Sequence, residues 1–164
     1  MEDREQRLKQ VARIAVALEA QNGCPAQLLT AQWALESEWG AKPAGHANYF
    51  GIKKADRHKL CCTVTTREVV NGKSVIQDLQ FADYDSLDDS CRDYAWMITN
   101  GAPYHAAWVR YQADRDFHAL IAAVAQVYAT DPGYAHLAAA IAGQTNVAQA
   151  IGEARQEEST NPAA

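Results

Sequence analysis

The 164-residue chain has no apolar run long enough to span a bilayer, which excludes a membrane-spanning helix and membrane insertion. It lacks a C-x-x-C pair, and its five histidines, His46, His58, His105, His118 and His136, form no H-x-x-x-H or H-E-x-x-H spacing. A metal site and metal hydrolysis are therefore not expected, and nothing calls for a cofactor. Ser37 stands outside a G-x-S-x-G setting, which argues against a serine hydrolase. Positive charge is also short: 15 Lys and Arg against 20 Asp and Glu give a net charge of -5. That is the wrong sign for a general nucleic-acid binder and leaves an uncharged or cationic polymer as the better partner. The opening MEDREQRLKQ is charged and lacks an apolar core with a cleavage site, so no ordinary secretory signal is expected and synthesis in the cytoplasm follows.

What is present is enough for one domain with a real core. Leu8, Val11, Ala12, Ala15 and Leu18 recur at helical spacing over 4–21, and Asn22-Gly23 supplies a stop. Pro25 suits the first turn of a second helix with a stripe of Leu28, Ala31, Leu35 and Trp39, ending at Gly40. Residues 41–59 read as loop. Thr- and Val-rich runs either side of Asn71-Gly72 predict a hairpin with strands at 62–70 and 73–83. Ser86 and Asp89 make a capping-box pattern opening a helix to Ile98. Further helices are expected at 104–111, 115–127 and 134–144, and the polar end RQEESTNPAA reads as frayed. Of four cysteines, Cys24, Cys61, Cys62 and Cys91, the adjacent pair cannot both face one side of a strand. They are open to disulfides in three pairings or to a role as small buried apolar residues.

Three places could carry chemistry. Glu36 falls at the edge of the second helix's stripe, three residues from Trp33 and three from Trp39; indoles that partly desolvate a carboxyl raise its pKa, as a general acid requires. The alternative is a solvated helix-end glutamate beside a structural tryptophan pair, which spacing alone favours. Glu68 shares a strand face with Val64, Thr66 and Val70, looking either into a groove or into solvent as a strand-edge solubility device. In YATDPGY, Tyr128 and Tyr134 flank a tight turn at Asp131, suited either to stacking on sugar or to half-buried packing with Asp131 as a helix cap.

Taken in order, ALESEWG, NYFGIK, TTREVVNGK, FADYDSLDDSCRDYAWMI and YATDPGYAHL resemble the glucosaminidase domains of glycoside hydrolase family 73, over about residues 10–145. The resemblance implies a fold class of α+β, mostly α: a lysozyme-like helical domain with one β-hairpin lobe flanking the substrate groove. It implies a single glucosaminidase domain over 1–155 followed by a flexible tail at 156–164. It implies cleavage of the β-1,4 bond after N-acetylglucosamine in peptidoglycan. Carried over by position, Glu36 is the general acid and Glu68 the second carboxylate or base. Asn48, Tyr49 and Phe50 form a substrate loop; Trp39, Tyr128, Asp131 and Tyr134 join them as substrate-binding residues. The chain departs from the pattern at Glu38, where the family has glycine, at Ala82, where it commonly has arginine, and in its four cysteines.

The resemblance and the absent leader together imply a bare catalytic domain acting in the periplasm or cell wall, with the peptidoglycan glycan strand as partner. A type VI secretion effector toxin, with a cognate immunity protein plugging its groove, fits the acidic charge; a phage endolysin is the alternative. A lytic transglycosylase or a non-catalytic sugar-binding module remain as other function classes.

Overall fold

The computed structural model describes residues 2–70, 72–129, 131 and 133–160, with backbone alone for residues 2 and 68–70. Seven helices and one hairpin follow in chain order: α1 (Glu2–Asn22), α2 (Ala26–Glu36), β1 (Leu60–Val70), β2 (Lys73–Asp83), α3 (Leu87–Asn100), α4 (His105–Asp114), α5 (Phe117–Tyr128), α6 (Tyr134–Ala142) and α7 (Thr145–Thr160). A single 3-10 turn, Ala102–Tyr104, joins α3 to α4. The architecture is the expected helical domain with one antiparallel hairpin.

Helix α2 is the axis of the core. Eight of its eleven residues are buried, and α1, α3, α6 and α7 pack around it. A helix covered on nearly every side carries no stripe, so the amphipathic face expected from Leu28, Ala31, Leu35 and Trp39 is not what the fold uses. It also stops earlier than Gly40. The Ser37 N–H and Oγ both donate to Trp33 O, at 3.1 and 2.5 Å, and Ser37 Oγ accepts from Gly40 N at 2.9 Å. Glu38 and Trp39 then turn left-handed with φ of 49° and 60°. Gly40 follows at φ 77°, where a Cβ would lie 2.6 Å from the buried Trp33 ring.

The two strands pair from Leu60↔Asp83 to Val70↔Lys73, with Gly72 at φ 76° beside the last pair. A two-stranded ribbon is marginal by itself, and this one gains a third segment at its base. Ala82 N–H donates to Ile52 O at 2.9 Å, Lys54 N–H donates to Gln80 O at 3.0 Å, and Lys53 bridges Phe81. Docking is therefore through backbone, and the buried Ala82 does not need the arginine that the family commonly has there.

Ser86 caps α3 as read from the sequence, accepting from Asp89 N–H. Cys61 is exposed and Cys62 half-buried, while Cys24 and Cys91 lie in the core; all four are free thiols. Helix α7 is the element that the sequence reading leaves out: it runs along α1 with Val147, Ala150, Ile151 and Ala154 buried, and Arg13 pairs with Glu157 at 2.6 Å. Residues 156–160, expected as part of a frayed tail, continue this helix; 161–164 lie outside the described residues. No described helix is long and apolar enough to cross a membrane, and no three His, Cys, Asp or Glu among the described residues could hold a metal.

Candidate active site

Glu36 is the last residue of α2, half-buried, with its carboxylate facing two tyrosines and a glycine. Tyr134, the first residue of α6, donates its hydroxyl to Glu36 Oε1 at 2.5 Å. The same hydroxyl accepts from Gln32 Nε2 at 2.9 Å, and Tyr94 donates to Gln32 Oε1. Gln32 sits one turn before Glu36 on α2, which places both on one face. The sequence reading misses Gln32, although that i, i+4 spacing is visible in it. The result is a line of donors, Tyr94 to Gln32 to Tyr134, that ends on the carboxylate.

Two effects on Glu36 oppose one another. Burial removes water from the charged form and raises its pKa, while the Tyr134 hydrogen bond favours the charged form and lowers it; burial is the larger, and the net shift is upward. Burial, and after it the neighbouring Glu36 carboxylate, pushes the Tyr134 hydroxyl far up, so Tyr134 remains a donor. Gly51 makes this approach fit: at φ 61°, a Cβ there would come within 3.3 Å of Glu36 Oε2. The Tyr128 ring stacks on Tyr134 with centroids 6.2 Å apart, and its hydroxyl donates to Phe50 O.

The two indoles pack on each other and against α1. Trp33 is fully buried, and Trp39 meets it edge-on at 6.3 Å. The Arg4 guanidinium of α1 lies 3.8 Å over the Trp39 ring, and Arg7 Nε donates to Trp39 O at 2.9 Å. Because α2 ends at Glu36 and the chain turns left-handed, Trp39 is carried toward α1 instead of continuing the Glu36 face. Trp39 packs against Trp33 and Arg4 while part of its surface stays exposed.

Asn48 and Phe50, expected in the substrate loop, are both buried. Asn48 is 1 % exposed, and its amide is fully used: Nδ2 donates to Ile52 O and Ala82 O at 2.9 and 2.8 Å, and Oδ1 accepts from Phe50 N and Ile52 N at 3.3 and 3.1 Å. With both donors and both lone pairs engaged, nothing is left for a sugar. Phe50 is fully buried, stacked on Tyr94 at 4.4 Å. Through these two side chains the loop ties Ile52 and Ala82 together beside Gly51. Tyr49 is half-buried and remains available. Asp131 is exposed and holds its turn, with Oδ1 accepting from Gly133 N at 2.8 Å. Glu68 lies in β1 opposite Val75; its side chain is outside the described part. The structure thus gathers Glu36, Tyr128 and Tyr134 at one place, lined by Gly51.

The model of the glucosaminidase family, described as mannosyl-glycoprotein endo-beta-N-acetylglucosaminidase, matches residues 12–147. The chain belongs to the glucosaminidase family. Among relatives of this glucosaminidase domain, a probable N-acetylmuramidase of Lactococcus lactis is 33 % identical over 135 residues, covering 77 % of the chain and 30 % of that protein. The peptidoglycan hydrolase FlgJ of Escherichia coli K12 is 34 % identical, over 78 % of the chain and 42 % of that protein. The domain thus spans less than half the length of these curated relatives. Among solved structures, the catalytic domain of the autolysin Auto from Listeria monocytogenes superposes with a TM-score of 0.75 at 25 % identity, covering 90 % of the chain and 86 % of that domain. A peptidoglycan hydrolase mutant from Sphingomonas sp. A1 superposes at 0.73 with 26 % identity, over 91 % and 99 %.

Proposed function

We propose that this glucosaminidase domain hydrolyses peptidoglycan, cleaving the β-1,4 bond after N-acetylglucosamine with Glu36 as general acid. The observation that carries the reading is Glu36 itself: half-buried, raised in pKa and held on the Tyr134 hydroxyl beside Gly51. A carboxyl with a raised pKa holds its proton to higher pH than an ordinary one and can give it to the departing glycosidic oxygen as the sugar gains oxocarbenium character. Tyr134 fixes which oxygen faces the substrate, since Oε1 is engaged and Oε2 lies toward Gly51. Tyr49, Tyr128 and Tyr134 supply rings for the sugar, and Glu68 on the ribbon activates water from the far face. The substrate's own 2-acetamido group is the other source of that second function.

Mass spectrometry of muropeptides from digested peptidoglycan tests the reading. Reducing N-acetylglucosamine ends are expected; reducing muramic ends would move the cut to the other linkage, and anhydro-muramic ends would make the domain a lytic transglycosylase. Glu68→Gln should lower wall release less than loss of Glu36 does; full activity in that variant removes Glu68 from the scheme.

For setting, the acidic net charge favours delivery over adhesion to an anionic wall. The proposal is an antibacterial effector acting in the periplasm of a target cell and restrained by an immunity protein seated over Glu36. A neighbouring gene whose product inhibits the enzyme at nanomolar strength is the expected finding; lysis genes alongside would assign it to a phage instead.

A further inference from the structure

Charge is unevenly placed on this chain. Its net charge is -5, yet residues 53–59 read KKADRHK, with four Lys or Arg and a single acid. The segment leaves the loop two residues after Gly51, the position that makes room for Glu36 Oε2. Beside it lies a cavity of about 300 Å³ lined by Ile52, Met97, Val127 and Tyr104 and by two cations, Lys53 and Arg57; Gly51 and Tyr128 join it to the Glu36 site. No carboxylate is among its lining residues.

The two cations differ. Arg57 is fixed, giving Asp93 two hydrogen bonds at 3.1 and 3.0 Å and stacking over Trp96 at 4.9 Å, so its charge is already answered. Lys53 is exposed and, among the described residues, stands in no ion pair. Its backbone is set by the bridge to Phe81, so the ammonium stem starts from a fixed point at the cavity. Beside the phenols of Tyr104 and Tyr128, the hollow offers the aliphatic side chains of Ile52, Met97 and Val127 and an exposed ammonium, which suit small apolar groups and an anion. Peptidoglycan offers both next to its glycan, because muramic acid carries a short lactyl-linked peptide with alanine methyls and free carboxylates.

We propose that this cavity receives the carboxylate-bearing stem peptide of a muramic acid neighbouring the cleaved bond, with Lys53 as ion-pair partner. The inference rests on the peptidoglycan reading of the Glu36 site and adds a preference: stem-bearing strands bind more tightly than bare ones. Lys53 acts on substrate affinity and leaves proton transfer alone.

The experiment compares soluble glycan strands that keep their stems with the same strands stripped by an amidase, following new reducing ends. The wild-type protein is expected to show a KM about fivefold lower on stem-bearing strands, the scale of one exposed ion pair, with kcat little changed. Lys53→Gln should abolish that difference without altering turnover of stripped strands, and Lys53→Arg should keep most of it. Salt near 0.5 M should also erase it by screening. Equal KM values for the two substrates in the wild type would overturn the pocket, as would a Lys53→Gln loss of the same size on both, which would make Lys53 a sugar contact. Cleavage of both strands without preference removes only the pocket, whereas cleavage of neither removes the hydrolase reading and the pocket together.

Discussion

Tyr134 and Glu36, brought together from opposite halves of the chain, share a hydrogen bond of 2.5 Å in which the phenol donates and the carboxylate accepts. The bond sets a balance. Burial raises the pKa of the acid, and the phenol limits that rise while holding the carboxyl in one orientation.

Replacing Tyr134 by Phe tests that balance. The lost hydrogen bond had favoured the charged form, so the Glu36 pKa should rise further and the alkaline limb of the kcat/KM profile should move to higher pH. The orientation is lost as well, so kcat should fall at every pH. An alkaline limb that stays in place would show that the phenol does not tune the acid.

Glu36→Gln should reduce hydrolysis by about 10²- to 10⁴-fold, the contribution of a general acid, while circular dichroism stays unchanged. It should also stabilise the protein at neutral pH. The folded pKa of Glu36 lies above its unfolded value, so the native carboxyl costs nothing below the ordinary carboxylate range and destabilises as pH rises through the raised value. The variant's gain in melting temperature should therefore appear on going from about pH 4 toward neutrality. A gain of equal size at both ends of that interval would contradict the desolvated acid.

Asn48→Ala separates a structural amide from a substrate contact. Removing it leaves the Phe50 and Ile52 N–H groups and the Ile52 and Ala82 carbonyls without this partner. A loss of about 2–4 kcal/mol in urea unfolding is expected. A stable variant with a raised KM would restore Asn48 to the sugar-binding set.

At Glu38 the comparison is between Gly and Ala. Both substitutions give up the exposed ion pair with Lys42, at 2.8 Å, but only glycine occupies φ 49° without strain. Glu38→Gly should exceed Glu38→Ala in stability by about 1 kcal/mol. Equal stabilities would mean that the turn after α2 relaxes in the alanine variant.

Much of this architecture can be read from the residues. Asn71-Gly72 places the hairpin, Ser86 opens α3, and the order of ALES, NYFG and YATDPGY points to a helical body with a ribbon. The errors are equally specific. Trp39 is misplaced because the sequence offers no glycine at position 38 to announce a left-handed turn, so the helix is read three residues too far. Asn48 and Phe50 sit in irregular chain, where no periodicity says which side chains point inward. Helix α7 has the pattern Val147, Ala150, Ile151, Ala154, at i, i+3, i+4 and i+7, but its apolar residues are small and its polar end outweighs them. Gln32 is hidden because a polar residue on a buried helix shows its purpose only when its partner, 102 residues away, is in view.

The amide of Asn48 has a mechanical meaning. It clasps Ala82 at the root of the ribbon with one hydrogen and Ile52, next to Gly51, with the other, so a tilt of the hairpin pulls on the glycine that abuts Glu36. The ribbon and the Glu36 carboxyl thus share a hinge, and the strength of that clasp limits how independently the two can move.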